Sequence, residues 1–102
     1  MSNKCIYELI EEEVKRQRDL WGEQNHPDVN ERFVECYIEN LAEVRRMNTN
    51  AVISNTLSWD LILDEEKYEA YTAKTDEERK KELVHVAAVV VSWYGDIERR
   101  KR

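Results

Sequence analysis

At 102 residues, 41% of them hydrophobic, the chain has material for one domain with a modest core and not for two. Its 22 acidic and 16 basic residues leave a net charge of -6, which opposes binding along a nucleic-acid polymer but not a nucleotide that arrives with its own cation. No apolar run of membrane-spanning length and no signal-peptide pattern is present, so no membrane contact and a cytoplasmic location are expected.

Only two glycines and one proline punctuate the sequence, which predicts long helices with few turns and an all-α fold. Cys5 and Cys36 match no metal or redox spacing and read as reduced thiols. A first helix is expected over residues 3–20, where Ile6, Leu9, Ile10, Glu13, Val14 and Gln17 share a face and Lys15, Arg16 and Arg18 crowd the C-terminal end. Residues 21–28 break it. With Trp21, Gly22, Gln24, Asn25, His26 and Pro27, the stretch reads either as a turn around a buried Trp21 or as a recognition loop. In the second case Gln24 and Asn25 hold a base edge and His26 a phosphate.

A second helix is expected from residue 30 or 31 to residue 47, with Phe33, Val34, Tyr37, Ile38, Leu41 and Val44 as its core stripe and Asp28 or Asn30 as its cap. Residues 48–58 carry no charge and read as a loop or short extended piece covering a site. Ser58 should cap the third helix, with Leu57 and Ile62 as a hydrophobic staple. There Trp59, Ile62, Leu63, Ala70 and Ala73 recur on one face, and Glu66 and Glu69 fall inside that stripe. Thr75 and Glu78 match a capping box, so a fourth helix starts at about Asp76. It is apolar nearly all round from Leu83 to Tyr94 and should be covered on most sides. The terminal run Arg99, Arg100, Lys101 and Arg102 complements that helix's C-terminal end, with a phosphate patch as the alternative.

So short a turn makes the last two helices antiparallel. Counting outward from a midpoint between residues 75 and 76 sets Glu66 level with His85 and Glu69 level with Glu82. Four chemistry-bearing side chains should therefore converge, ~10 Å from the turn at ~1.5 Å rise per residue. Clustered acids cannot all stay ionised in a dry site unless a cation joins them. Carboxylate oxygens suit a hard divalent ion, magnesium first, whose remaining positions take water and substrate phosphates.

The motif Glu65-Glu66-Lys67-Tyr68-Glu69, followed by Glu82 and His85, resembles the EExxE and ExxD boxes of the MazG-like nucleoside triphosphate pyrophosphohydrolases. Residues 59–66 and 82–93, together with Glu13, Arg16, Gln17, Trp21, Gly22, Gln24, Asn25, His26 and Pro27, look like an actinobacterial and phage branch of that superfamily, leaving residues 29–57 unmatched. This resemblance implies a four-helix bundle assembled as a dimer or tetramer. It also implies metal ligation by Glu66, Glu69 and Glu82, and catalysis by Glu66 with Glu65 as outer-shell carboxylate or water-orienting base. Substrate contacts would come from Arg16, Gln17, Trp21, Gln24, Asn25, His26 and His85. The implied reaction is attack of water on the α-phosphorus of a nucleotide, giving monophosphate and pyrophosphate.

One residue departs from the pattern: His85 stands where the family has an aspartate. Imidazole is a poor magnesium ligand. Three readings stay open: His85 contacts nucleotide or an outer-shell water, the metal preference shifts to manganese, or hydrolysis is lost. The last would leave a nucleotide binder such as a phage-type sponge for immune signals. The last two helices carry apolar side chains on more than one face, more than the first two can cover, which predicts a two-fold dimer that buries the Val84, Ala88 and Val91 side.

Overall fold

The computed structural model describes residues 4–100, and every regular element among them is helical. Helix α1 spans Ile6–Trp21; a 3-10 turn, Glu31–Phe33, leads into α2, Val34–Ser54; α3 spans Trp59–Thr72 and α4 Asp76–Arg100. The expected start of α1 at residue 3 lies outside the described residues. Its end is set by Gly22, whose φ of 69° is a conformation that side chains resist and whose N–H donates to the Arg18 carbonyl at 2.8 Å.

Helix α3 lies between α2 and α4, which share no extended interface with each other, and α1 shares none with any of the three. Three helices in a row make a slab, 40 × 39 × 20 Å overall. Burial is correspondingly thin: among the described residues only Val44, Ala51 and Ala70 are buried. Helix α4 turns Glu82, His85, Val89 and Trp93 inward, as the second of its stripes requires, but it is not covered on most sides. Leu83, Val84, Val90 and Ile97 stay exposed.

Ring contacts hold the two ends of the slab. Tyr37 meets Tyr71 at 5.0 Å between centroids near the α3–α4 turn. At the other end Trp59 and Trp93 lie parallel, 6.5 Å apart, and the Trp59 indole N–H donates to Asp96 at 2.8 Å. Arg100 adds a second hydrogen bond to Asp96, and together the indole and guanidinium hold that carboxyl below its ordinary range. Arg99 also reaches Asp96, so this much of the basic run serves the helix end. Lys101 and Arg102 lie outside the described residues.

Several boundaries differ from those the sequence predicts. Residues 48–54, expected as part of a loop, are the last two turns of α2, and the connection to α3 is only residues 55–58. Tertiary packing overrides the poor helix propensity of Asn48, Thr49 and Asn50: Asn48 bonds Leu61 and Glu65 of α3, and Ala51 is buried. Asn55 ends α2 in the left-handed conformation, φ 59° and ψ 40°. Ser58 occupies the N-cap position of α3, yet its hydroxyl bonds the Asp60 carboxylate and not a backbone amide. Asn30 is the cap of the 3-10 turn, accepting from the Arg32 amide at 3.0 Å. Half the capping box forms as expected, Glu78 N–H to the Thr75 hydroxyl at 3.1 Å, while the Glu78 carboxylate accepts from Lys74 and not from Thr75.

Candidate functional site

The α3–α4 hairpin sets Glu66 and His85 level, as the antiparallel register requires. Glu66, Glu82 and His85 each offer one ligand atom, and the three atoms lie within 4.8 Å of one another. His85 Nδ1 is 3.2 Å from Glu82 Oε2 and 3.6 Å from Glu66 Oε2. The second distance is electrostatic contact, too long for a hydrogen bond. Glu66 Oε2 is consequently buried with no hydrogen-bond partner, and burial raises the Glu66 carboxyl above its ordinary range. The charges of Glu69, Glu82 and Glu65 push the same way, with His85 opposing.

Glu69 is not part of this group. One helical turn beyond Glu66 it meets Arg45 of α2, whose guanidinium donates to it at 3.3 Å, so in the structure a protein cation and not a shared metal position partners it. Glu65 likewise faces α2. Asn48 donates one hydrogen bond to Glu65 at 2.7 Å and another to the Leu61 carbonyl at 3.1 Å. Both acceptors fix the amide's orientation, which leaves Asn48 Oδ1 buried and unpartnered. Arg45, Asn48, Glu65 and Glu66 line one open cleft of about 480 Å³ between α2 and α3, together with Leu57 and Ile62. Asn48 Oδ1 and Glu66 Oε2 are the buried side-chain oxygens left without a partner among the described residues.

Arg45 and Asn48 are absent from the sequence-based set of site residues. Asn48 had a legible signal, since it continues the Leu41, Val44, Ala51 stripe as a polar residue on an inward face. Arg79 was equally hidden. One turn before Glu82, it donates to the Ala70 carbonyl at 3.2 Å and the Ala73 carbonyl at 2.7 Å, closing the end of α3, and it pairs with Asp28 at 3.2 Å. A larger cleft of about 870 Å³ at this end includes Tyr37, Tyr71 and Arg79. It contains no member of the acidic group, and its one guanidinium is already committed to main-chain carbonyls.

The expected substrate contacts on α1 and its loop are not brought to the acidic group. Arg16 grips Glu13 through two nitrogens, at 2.7 to 3.1 Å, and Gln17 donates to the same carboxylate at 2.8 Å, which pushes Glu13 down to about 2. Trp21 is 69% exposed, so the buried-tryptophan turn is not what forms. Gln24 Oε1 accepts from His26 Nε2 at 3.1 Å, and Asn25 donates to Glu23 at 3.3 Å. These loop side chains line their own cleft of about 370 Å³.

Chemically, two carboxylates and one imidazole, with one carboxylate oxygen of Glu66 buried and unpartnered, could hold a divalent cation. Glu66 supplies the strongest case, because neutralising it by protonation or by a cation relieves the same repulsion. An imidazole nitrogen at this point suits manganese better than magnesium, while carboxylate oxygens accept either. No protein-family model, curated protein or solved structure matches the chain.

Proposed function

We propose that the chain binds a nucleoside triphosphate with magnesium or manganese at Glu66, Glu82 and His85 and hydrolyses it to monophosphate and pyrophosphate. The observation that carries this reading is the convergence of those three side chains around a buried Glu66 oxygen that has no partner. The boxes that resemble MazG-like pyrophosphohydrolases support the polyphosphate ligand, and a net charge of -6 accords with a single nucleotide rather than a polymer. When bound, the cation supplies charge stabilisation at the phosphate oxygens and acidifies water.

The chain's own groups divide the remaining tasks. Glu65, held by Asn48, is the base that orients a water and takes its proton as the water oxygen bonds the α-phosphorus and the pyrophosphate oxygen leaves. Arg45 lies beside the group as a counter-charge for phosphate, and Glu69, released from Arg45, completes the carboxylate set. Trp21, Gln24, Asn25 and His26 are proposed nucleotide contacts, with Arg16 and Gln17 beside them on α1. They act only where α1 and its loop are brought over an acidic group, within a homo-oligomer that completes the four-helix arrangement. A cytoplasmic location belongs to the same reading; among the described residues no helix is long and apolar enough to cross a membrane.

Incubation of the protein with the common ribo- and deoxyribonucleoside triphosphates in magnesium or manganese should release pyrophosphate from at least one, and Glu66→Gln should abolish it. Absence of release with both ions overturns the hydrolytic reading. A second reading, a binder that sequesters nucleotide intact, is favoured by the two observations that separate this group from three carboxylates: His85 is a member and Glu69 pairs with Arg45. Calorimetric binding of a nucleotide that is recovered unbroken from denatured protein selects it, since affinity survives more easily than transition-state geometry.

A further inference from the structure

The loop that follows α1 meets the turn end of the slab at a cleft of about 870 Å³, whose lining includes Asp28, Val29, Glu31, Tyr37, Tyr71 and Arg79. We propose that this cleft binds a small organic cation, an ammonium carrying alkyl or aryl groups, at a site separate from Glu66, Glu82 and His85. Three helices and the loop build it together: Tyr37 comes from α2, Tyr71 from the last turn of α3 and Arg79 from the first turn of α4. Its volume falls in the range of small-molecule sites, roughly 300–1,000 Å³, and is far more than a bare ion fills.

Charge and ring chemistry select the occupant. Arg79 is fully engaged: Nε donates to the Ala70 carbonyl, Nη2 to the Ala73 carbonyl and Nη1 to Asp28, and the side chain is only 18% exposed. With that guanidinium balanced by Asp28, an anion finds no free positive charge in the cleft. Glu31 is left over. Its side chain is exposed and has no hydrogen-bond or ion-pair partner among the described residues, so the cleft is negative within a chain of net charge -6. A neutral apolar ligand would strip water from that carboxylate and return nothing to it. The rest of the lining is aromatic. Tyr37 and Tyr71 have ring centroids 5.0 Å apart, and Phe33 and Tyr68 each lie 6.3 Å from Tyr37. Phenol rings attract cations through their negative faces and bury alkyl groups at the same time. A ligand positive at one end and apolar over the remainder satisfies Glu31 and the rings together. The inference stands whether or not the acidic group takes a nucleotide.

NMR titration of the full chain with choline and with its uncharged carbon isostere, dimethylbutanol, provides the test. Choline should shift the resonances of Tyr37, Tyr71 and Glu31 and saturate in the millimolar range, and the isostere should bind about tenfold more weakly. Glu31→Gln changes an exposed side chain, so the fold should persist while choline binding falls about threefold or more and binding of the isostere stays as it was. Tyr71→Phe should keep choline affinity within about twofold because the ring remains, and Tyr71→Leu should lose about tenfold. Glu66→Gln should bind choline as the parent does. Equal affinity for the two probes overturns the proposal, as does indifference to Glu31→Gln. So do shifts that centre on Glu66, Glu82 and His85 or vanish in Glu66→Gln, which would place the cation in the acidic group, and so does the absence of any shift at tens of millimolar choline.

Discussion

Replacing Glu66 by glutamine should stabilise the protein without metal and destroy its response to metal, two effects of opposite sign from one substitution. The ligand atoms of Glu66 and Glu82 lie within 4.8 Å. At that separation two like charges repel by about 1–3 kcal/mol for an effective dielectric between bulk water and a protein surface. His85 beside both carboxylates offsets part of this repulsion, and the side chains keep 24% and 20% exposure, which together bring the net to about 1 kcal/mol. For a domain of this size that is a rise in Tm of about 4–8 °C, measured by circular dichroism in a chelator at fixed protein concentration. Added divalent cation at ten times its dissociation constant should stabilise the unmodified protein by about 1.4 kcal/mol and the variant hardly at all. The pH dependence follows from the same cause. Because the folded protein raises the Glu66 carboxyl, its stabilising contribution is full at low pH and is lost as pH rises through the folded value. The gap between glutamine and glutamate should therefore open as pH rises and close in acid. A variant that melts lower in chelator, or gains as much from the cation as the parent does, refutes the reasoning.

Three further substitutions probe the neighbours. Arg45→Ala should strengthen cation binding to the free protein about two- to fivefold, because Glu69 loses its counter-charge, and should weaken triphosphate binding, both read by calorimetry. A purely structural Arg45 would weaken both. Asn48→Ala removes one neutral and one charge-assisted hydrogen bond and should cost about 2 kcal/mol of stability in denaturant titration. Arg79→Ala leaves the end of α3 without its side-chain donors and should cost a similar amount, about 2 kcal/mol, with Arg79→Lys recovering little because an ammonium lacks the guanidinium fork.

The hairpin was the most legible part of the chain. Its turn chemistry at Thr75 and Glu78 is local, and once the turn is placed, antiparallel geometry alone fixes which residues stand opposite. Glu66, Glu82 and His85 meet on that account. Glu69 does not join them because its neighbour comes from α2, and no spacing within α3 or α4 carries information about Arg45. The end of α2 departs from its local propensity for a related reason. Asn48, Thr49 and Asn50 favour a loop by propensity, and only contact with α3, through the Asn48 hydrogen bonds, and the burial of Ala51 make them helical. Helix α1 shows the opposite case. Its amphipathic pattern gives the element correctly, but the pattern presupposes a surface to pack on, and the described residues of one chain provide no extended one.

Anomalous scattering from crystals grown with manganese tests the carboxylate group most directly. A peak within ligand distance of Glu66 and Glu82, with His85 turned toward it and lost in Glu66→Gln crystals, is the expected result. Clear density for those side chains with no manganese between them, at concentrations that saturate other carboxylate sites, would contradict it.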